Sequence, residues 1–183
     1  MRKPLQGLRN VVRFNWPYYA VAASLIILLA AVARWSDSRF ELIAIILIAL
    51  IALLTLISLV VTLYVYDLSG FYRFEWLDEL KVRPVETMMN VNAGFDETSA
   101  LLKSKFPNAK LVACDFYDPA RHTEPSIARA RRAYPPFEAT VNIITTALPF
   151  GDASFDLISA IMSAHEIRDR GERKAFLTEL RRA

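Results

Sequence analysis

The sequence predicts an α/β protein: an N-terminal two-helix transmembrane hairpin followed by a domain built on a parallel sheet. Three observations predict it. Two uncharged apolar blocks lie within the first 66 of 183 residues, and they account for much of the 54% hydrophobic content. Beyond them, short apolar runs alternate with amphipathic stretches, the pattern of a parallel sheet covered on both faces. The charge also changes character between the two regions. Arg2, Lys3, Arg9 and Arg13 precede the first block with no acid among them, whereas residues 67–183 hold 16 basic and 17 acidic residues.

Residues 1–16 form a basic arm. The transmembrane hairpin follows over 17–66. Its first span, Pro17 to Ala33, is just long enough to cross a hydrocarbon core of about 30 Å, and its second, Leu42 to Tyr66, crosses with some tilt. A helix of a soluble protein rarely stays apolar on every face for that length. A cleaved signal peptide is the competing reading of the first block, and the longer span close behind it argues against cleavage. Trp16, Tyr18, Tyr19 and Trp35 fall where interfacial aromatic residues belong. The basic arm is expected to stay in the cytoplasm, and two spans return the chain to that side. Residues 67–183 are therefore expected to be cytoplasmic, with the lipid bilayer as a partner and a bacterial inner membrane as the location. The nearly neutral charge of that region argues against nucleic acid as a partner. A single cysteine, Cys114, excludes an internal disulfide framework and a cysteine-based metal cluster, and no metal is expected.

Residues 67–84 read as a juxtamembrane helix or linker. Ser69 is a candidate cap, and Phe71, Tyr72, Phe74 and Trp76 either lie at the membrane surface or pack as a covering helix. Pro84 closes the segment. From residue 85 onward the periodicity predicts strands at Thr87–Val91, Lys110–Cys114, Ala139–Ile144 and Phe155–Ile161. It predicts helices at Asp96–Phe106, Ser126–Ala133 and Glu172–Leu180, the middle one ending at the breaker Tyr134–Phe137. The sequence stops where a further strand is expected, which suggests a fragment or a sheet completed by something else.

In such a sheet, ligands bind beyond the C-terminal ends of the strands. The candidate groups are Asn90 to Asp96 (Asn92, Ala93 and Gly94 among them), Asp115, Thr145 with Thr146, and Ser163 to Glu166. Asp115 lies 21 residues after Gly94 and ends an apolar strand, the placement of a carboxylate that accepts both hydroxyls of a ribose. Asp96 and Glu97 would repel a pyrophosphate at the start of the helix, so a dinucleotide-dependent oxidoreductase is disfavoured. Asp96 also reads as the helix N-cap. A ligand without phosphates and with positive charge satisfies both readings, and S-adenosylmethionine is one.

The run 148-LPFGDASFDLISAIMSAHEI-167 and the helix ERKAFLTELRRA resemble the class I S-adenosylmethionine-dependent methyltransferases over residues 85–183. The resemblance implies a Rossmann-like methyltransferase domain, incomplete at its C-terminus, with S-adenosylmethionine as cofactor. It implies that the loop around Gly94 holds the methionine portion and that Asp115 binds ribose. The chain departs from the family pattern at several positions. Asn90 stands for the usual acid of the first strand, while Asn92 and Asp96 stand for glycines. Ile144, Thr145 and Thr146 occupy the stretch where an acid near adenine is usual. Asn92 tolerates a positive φ better than most residues and can make the tight turn.

Methyl transfer relies on positioning, with a base where the acceptor must lose a proton. His165 and Glu166 are the candidate pair. The competing readings are a turn histidine bonded to backbone and a glutamate opening the next helix. His122 reads as a solvated loop residue, Asp156 as a structural residue at the mouth of the fourth strand. Arg129, Arg131 and Arg132 with Tyr134 read as a solvated helix face rather than an RNA contact. The expected function is a membrane-anchored methyltransferase acting on an unidentified, membrane-associated acceptor. The alternative is a non-catalytic binding or scaffolding protein that keeps the fold.

Overall fold

The structure is a computed structural model that describes residues 2–35, 37–79 and 84–183. It divides into two compact units, Met1–Phe71 and Tyr72–Ala183.

The first unit holds α1 (Gln6–Phe14), α2 (Trp16–Arg34) and α3 (Ser38–Leu63), the last continuing as a π-helical turn over Tyr64–Leu68. The basic arm is thus largely helical. α2 and α3 pack along each other across a three-residue connection, so they run antiparallel. Both are long and apolar enough to cross a membrane, with mean hydropathies of 1.9 and 3.2 over their apolar windows. At 1.5 Å per residue α2 spans about 28 Å, close to a hydrocarbon core. Within α2 no residue is buried, and in α3 only Ala44 and Thr62 are. Continuous exposed apolar surface on that scale is foreign to a water-soluble monomer. Both helices start earlier than their uncharged cores, because the polar flank of Ser38–Glu41 is compatible with a first turn, where Glu41 favours the helix dipole.

The second unit is a four-stranded parallel sheet in the order β3-β2-β1-β4, formed by β1 (Thr87–Asn92), β2 (Lys110–Asp115), β3 (Val141–Asn142) and β4 (Leu157–Ser159). It also contains α4 (Trp76–Glu79), α5 (Ser99–Lys105), α6 (Pro125–Ala133) and α7 (Arg170–Arg182). Strand periodicity sorts the side chains onto two faces. Met89, Val91, Cys114 and Phe116 point to one face and are covered by Phe176 and Leu180 of α7. Met88 and Leu111 point to the other, covered by Leu102 of α5 together with Phe74 and Leu77. Phe74 is 1% exposed, so part of the juxtamembrane aromatic cluster is a cover for the sheet. Residues 80–83, within the expected juxtamembrane segment, lie outside the described residues.

Several elements depart from the periodicity. The segment after Ser69 is not one capped helix: a short 3-10 turn at Phe71–Arg73 precedes α4, and the Ser69 hydroxyl accepts from the Phe71 amide. α5 starts three residues after Asp96, whose Oδ1 nonetheless accepts from the amides of Thr98 and Ser99 at 3.0 and 2.9 Å. α7 starts at Arg170 because Asp169 caps it, accepting from the Glu172 amide at 2.7 Å. β3 and β4 shrink to two and three residues.

Candidate functional site

Strand order reverses at β1, which has β2 on one side and β4 on the other. The residues that end the strands therefore face a common rim. The register sets Asn92, the last residue of β1, opposite Asp115, the last residue of β2. Gly94 follows with φ +94°, a conformation that L side chains rarely adopt. A Cβ at this position would stand 2.6 Å from the Tyr117 ring, so the close approach also demands glycine.

Asp115 is 4% exposed and fully engaged. One carboxylate oxygen accepts from the Tyr117 amide at 2.9 Å, and the other pairs with Arg131 of α6 at 2.5 Å. The Arg131 guanidinium also donates to the Gly94 carbonyl at 3.2 Å and lies over the Tyr117 ring, 4.3 Å from its centroid. Arg131 is thus not part of a solvated helix face; it locks the loop after β1 to the end of β2. No local spacing announces this, because Arg131 reaches Asp115 from sixteen residues away.

The other loop residues differ in what they leave available. Asn90 is wholly buried, donating to Thr98 Oγ1 and Ser99 Oγ at 2.8 Å and accepting from Ser159 Oγ at 2.7 Å. Its amide nitrogen is consumed in tying β1 to α5. Ala93 packs into the core, leaving only its backbone to the rim. Asn92 Oδ1 accepts from the Gly94 amide at 3.2 Å, while its Nδ2 is buried without a hydrogen-bond partner. A buried donor left unpaired is costly, and it is the group in this loop best suited to meet a ligand acceptor.

Beside this cluster a cavity of about 280 Å3 opens, lined among others by Phe116, Tyr117, His122, Ile143, Thr145 and Glu172. Glu166, Arg121 and Arg168 border it as well. Tyr117 is the wall between the cavity and the Asp115–Arg131 pair. Thr145 donates to Glu172 at 2.5 Å, and Arg121 holds Glu172 with both guanidinium nitrogens. Arg121 and then Thr145 keep the Glu172 carboxyl below the usual carboxylate range. His122 is not the solvated loop residue that its surroundings in sequence suggest. It is 7% exposed, stacks on Tyr117 at 5.6 Å and accepts at Nδ1 from the Asp118 amide at 3.0 Å.

His165 and Glu166 share the 3-10 turn Ala164–Glu166 after β4, with His165 Nε2 3.1 Å from Glu166 Oε1. Glu166 borders the cavity and the His165 side chain is 67% exposed outside it. Thr146 is exposed and does not line the cavity. Thus the structure brings Asn92, Gly94 and Asp115 into one cluster and Thr145 and Glu166 into the adjoining cavity. Sequence reasoning missed Tyr117, Arg121, Arg131 and Glu172. Tyr117 alone had a local signal, an aromatic ring two residues beyond the strand-ending acid.

Among the described residues no group of His, Cys, Asp or Glu side chains could hold a metal ion. No protein-family model matches the chain, and no curated protein or solved structure matches it.

Proposed function

We propose that the chain is a membrane-anchored S-adenosylmethionine-dependent methyltransferase with a Rossmann-like domain, acting at the cytoplasmic face on a membrane-associated acceptor. The observation that carries this reading is the register of Asn92 with Asp115 beside the point where strand order reverses. It sets a one-glycine loop beside a strand-ending carboxylate at one rim of the sheet, next to the cavity, the arrangement that the resemblance over residues 85–183 implies. The orphaned Asn92 Nδ2 fits a bound ligand with an acceptor group. In this reading Asp115 takes the ribose hydroxyls and Thr145 flanks the ring-binding side. His165 with Glu166 removes a proton from the acceptor.

The fit has a condition. The cavity, at about 280 Å3, falls just below the range of ligand pockets, which run from about 300 to 1,000 Å3. The rest of the cosubstrate needs the space beyond Tyr117, so Arg131 must release Asp115 for full occupancy. The same pairing favours the second reading, a non-catalytic scaffold in which Arg131 has replaced the ligand as the partner of Asp115.

Calorimetry of S-adenosylmethionine against the full chain in detergent separates the two. The enzyme reading expects saturable heat, with Asp115→Ala weakening binding about tenfold to a hundredfold through loss of charge-assisted hydrogen bonds. Absence of heat up to millimolar ligand leaves the scaffold. If binding occurs, His165→Ala is expected to spare affinity and slow transfer, and unchanged turnover removes His165 as the base.

A further inference from the structure

We infer that α1 lies in the membrane interface and presents a binding face for anionic phospholipid headgroups. The inference rests on the membrane reading of α2 and α3 and adds to it a chemical preference at one end of the hairpin. α1 is fixed at both ends. Its C-terminus is separated from the apolar helix α2 by the single residue Asn15. Two amides of its first turn, those of Gly7 and Leu8, donate to the two carboxylate oxygens of Asp67 at 3.0 and 2.8 Å, and Asp67 sits in the turn that follows α3. Arg2 adds a hydrogen bond to the Tyr66 carbonyl at 3.4 Å.

Trp16 begins one apolar helix and Leu63 ends its antiparallel partner, so both anchors of α1 belong to the same end of the hairpin. A nine-residue helix tied to that end at both of its termini lies across it instead of extending away. Gly7 makes the contact close: a Cβ there would stand 2.3 Å from the Cβ of Tyr66.

The faces of α1 follow from the helical period. Gly7, Asn10 and Phe14 recur at i, i+3 and i+7 and are the buried residues of the helix. Arg9 and Arg13, at i and i+4, are exposed on another face, and Lys3 is exposed just ahead of it. Leu8 and Val12, partly exposed, form an apolar flank beside the arginines. No acid occurs from Arg2 to Trp16. A short helix with a basic face and an apolar flank, held within one residue of an apolar span, has the chemistry of an interfacial helix on an anionic surface.

The test uses the full chain in vesicles of phosphatidylcholine, with or without phosphatidylglycerol, and brominated versions of each lipid as contact quenchers of tryptophan. Trp35→Phe with Trp76→Phe leaves Trp16, three residues beyond Arg13, as the reporter. Trp16→Phe with Trp76→Phe leaves Trp35, at the other end of the hairpin. Brominated phosphatidylglycerol is expected to quench Trp16 beyond its share of the lipid, and Trp35 only in proportion to that share. Arg9→Gln and Arg13→Gln are each expected to reduce the Trp16 preference by up to about fivefold, as is raised salt. Asp67→Ala, which frees the start of α1, is expected to reduce it with both arginines intact. Equal quenching of Trp16 by the two brominated lipids overturns the headgroup preference while the membrane reading stands. Absence of quenching at both tryptophans by either lipid overturns the membrane reading and the inference with it.

Discussion

At the scale of single residues, the rim of the sheet is held by Arg131. Its guanidinium bonds the Asp115 carboxylate and the Gly94 carbonyl and covers the Tyr117 ring. If the crevice takes S-adenosylmethionine, this pairing competes with the ligand. Arg131→Ala is then expected to tighten binding by about tenfold, the equivalent of one partly screened ion pair. Titration calorimetry of the variant beside the wild type reads this directly, and weaker binding would make Arg131 a support of the site. Asn90 is the opposite case, a residue whose contacts are all internal. Asn90→Ala removes the donor to the Thr98 and Ser99 hydroxyls and leaves Ser159 only its longer bond to the Met89 carbonyl, for an expected loss of about 2–4 kcal/mol in denaturant unfolding. Gly94 and Asp115 were legible in the sequence because a turn glycine and a strand-ending acid are local features. The partners of Asp115 were not, since nothing in the local order of residues points from position 131 to position 115.

Among the elements, helices were placed well by periodicity and edge strands poorly. The apolar run Ala139–Ile144 predicts a strand of six residues, yet β3 pairs only Val141 and Asn142 with the end of β2. Upstream, the Thr140 hydroxyl turns back to the Phe137 carbonyl; downstream, Ile144 bridges to Ala147, so the chain leaves the sheet on both sides. Edge length depends on where neighbouring strands end, which apolar content does not encode. Two carboxylates fasten elements to one another. Asp156, ahead of β4, accepts from the amides of Glu86 and Thr87 and from the Thr87 hydroxyl, as expected of a structural residue. Glu179 of α7 accepts from Arg182 and from the Leu148 amide. Those bonds hold Asp156 below the usual carboxylate range and pull Glu179 down to about 2. Both groups bind protons more weakly when folded, so their stabilisation is complete above an unfolded carboxyl value of about 4. It is lost as the pH falls through the folded values. Acid titration followed by circular dichroism is expected to show loss of structure between about pH 4 and 2. Glu179→Gln should be less stable at neutral pH and less sensitive to acid; an unchanged acid transition would leave Glu179 without a part in it.

For the whole molecule, the two units were legible in the sequence to different depths. The apolar helices declare themselves through length and composition alone, because an uncharged run is a property of consecutive residues. The strand order β3-β2-β1-β4 depends on pairings between distant segments, and alternation implied only that the sheet is parallel. On the membrane reading proposed above, the charge of α1 and two crossings are expected to leave the start of the chain and residues 72–183 on the same side of the bilayer. Cys114 permits a clean test. It is buried, and burial pushes its thiol up to about 12, so it stays unreactive toward maleimides near neutral pH. Cysteines introduced singly at the exposed positions Lys3, Arg39 and Lys174 therefore report without background. In sealed inverted vesicles an impermeant maleimide is expected to label Lys3→Cys and Lys174→Cys at once. Arg39→Cys, at the start of α3, should label only after the bilayer is opened. Labelling of Lys3→Cys and Lys174→Cys from opposite sides would require an odd number of crossings and would remove the hairpin. Immediate labelling of all three would place α2 and α3 on the surface, leaving their exposed apolar faces in need of another cover.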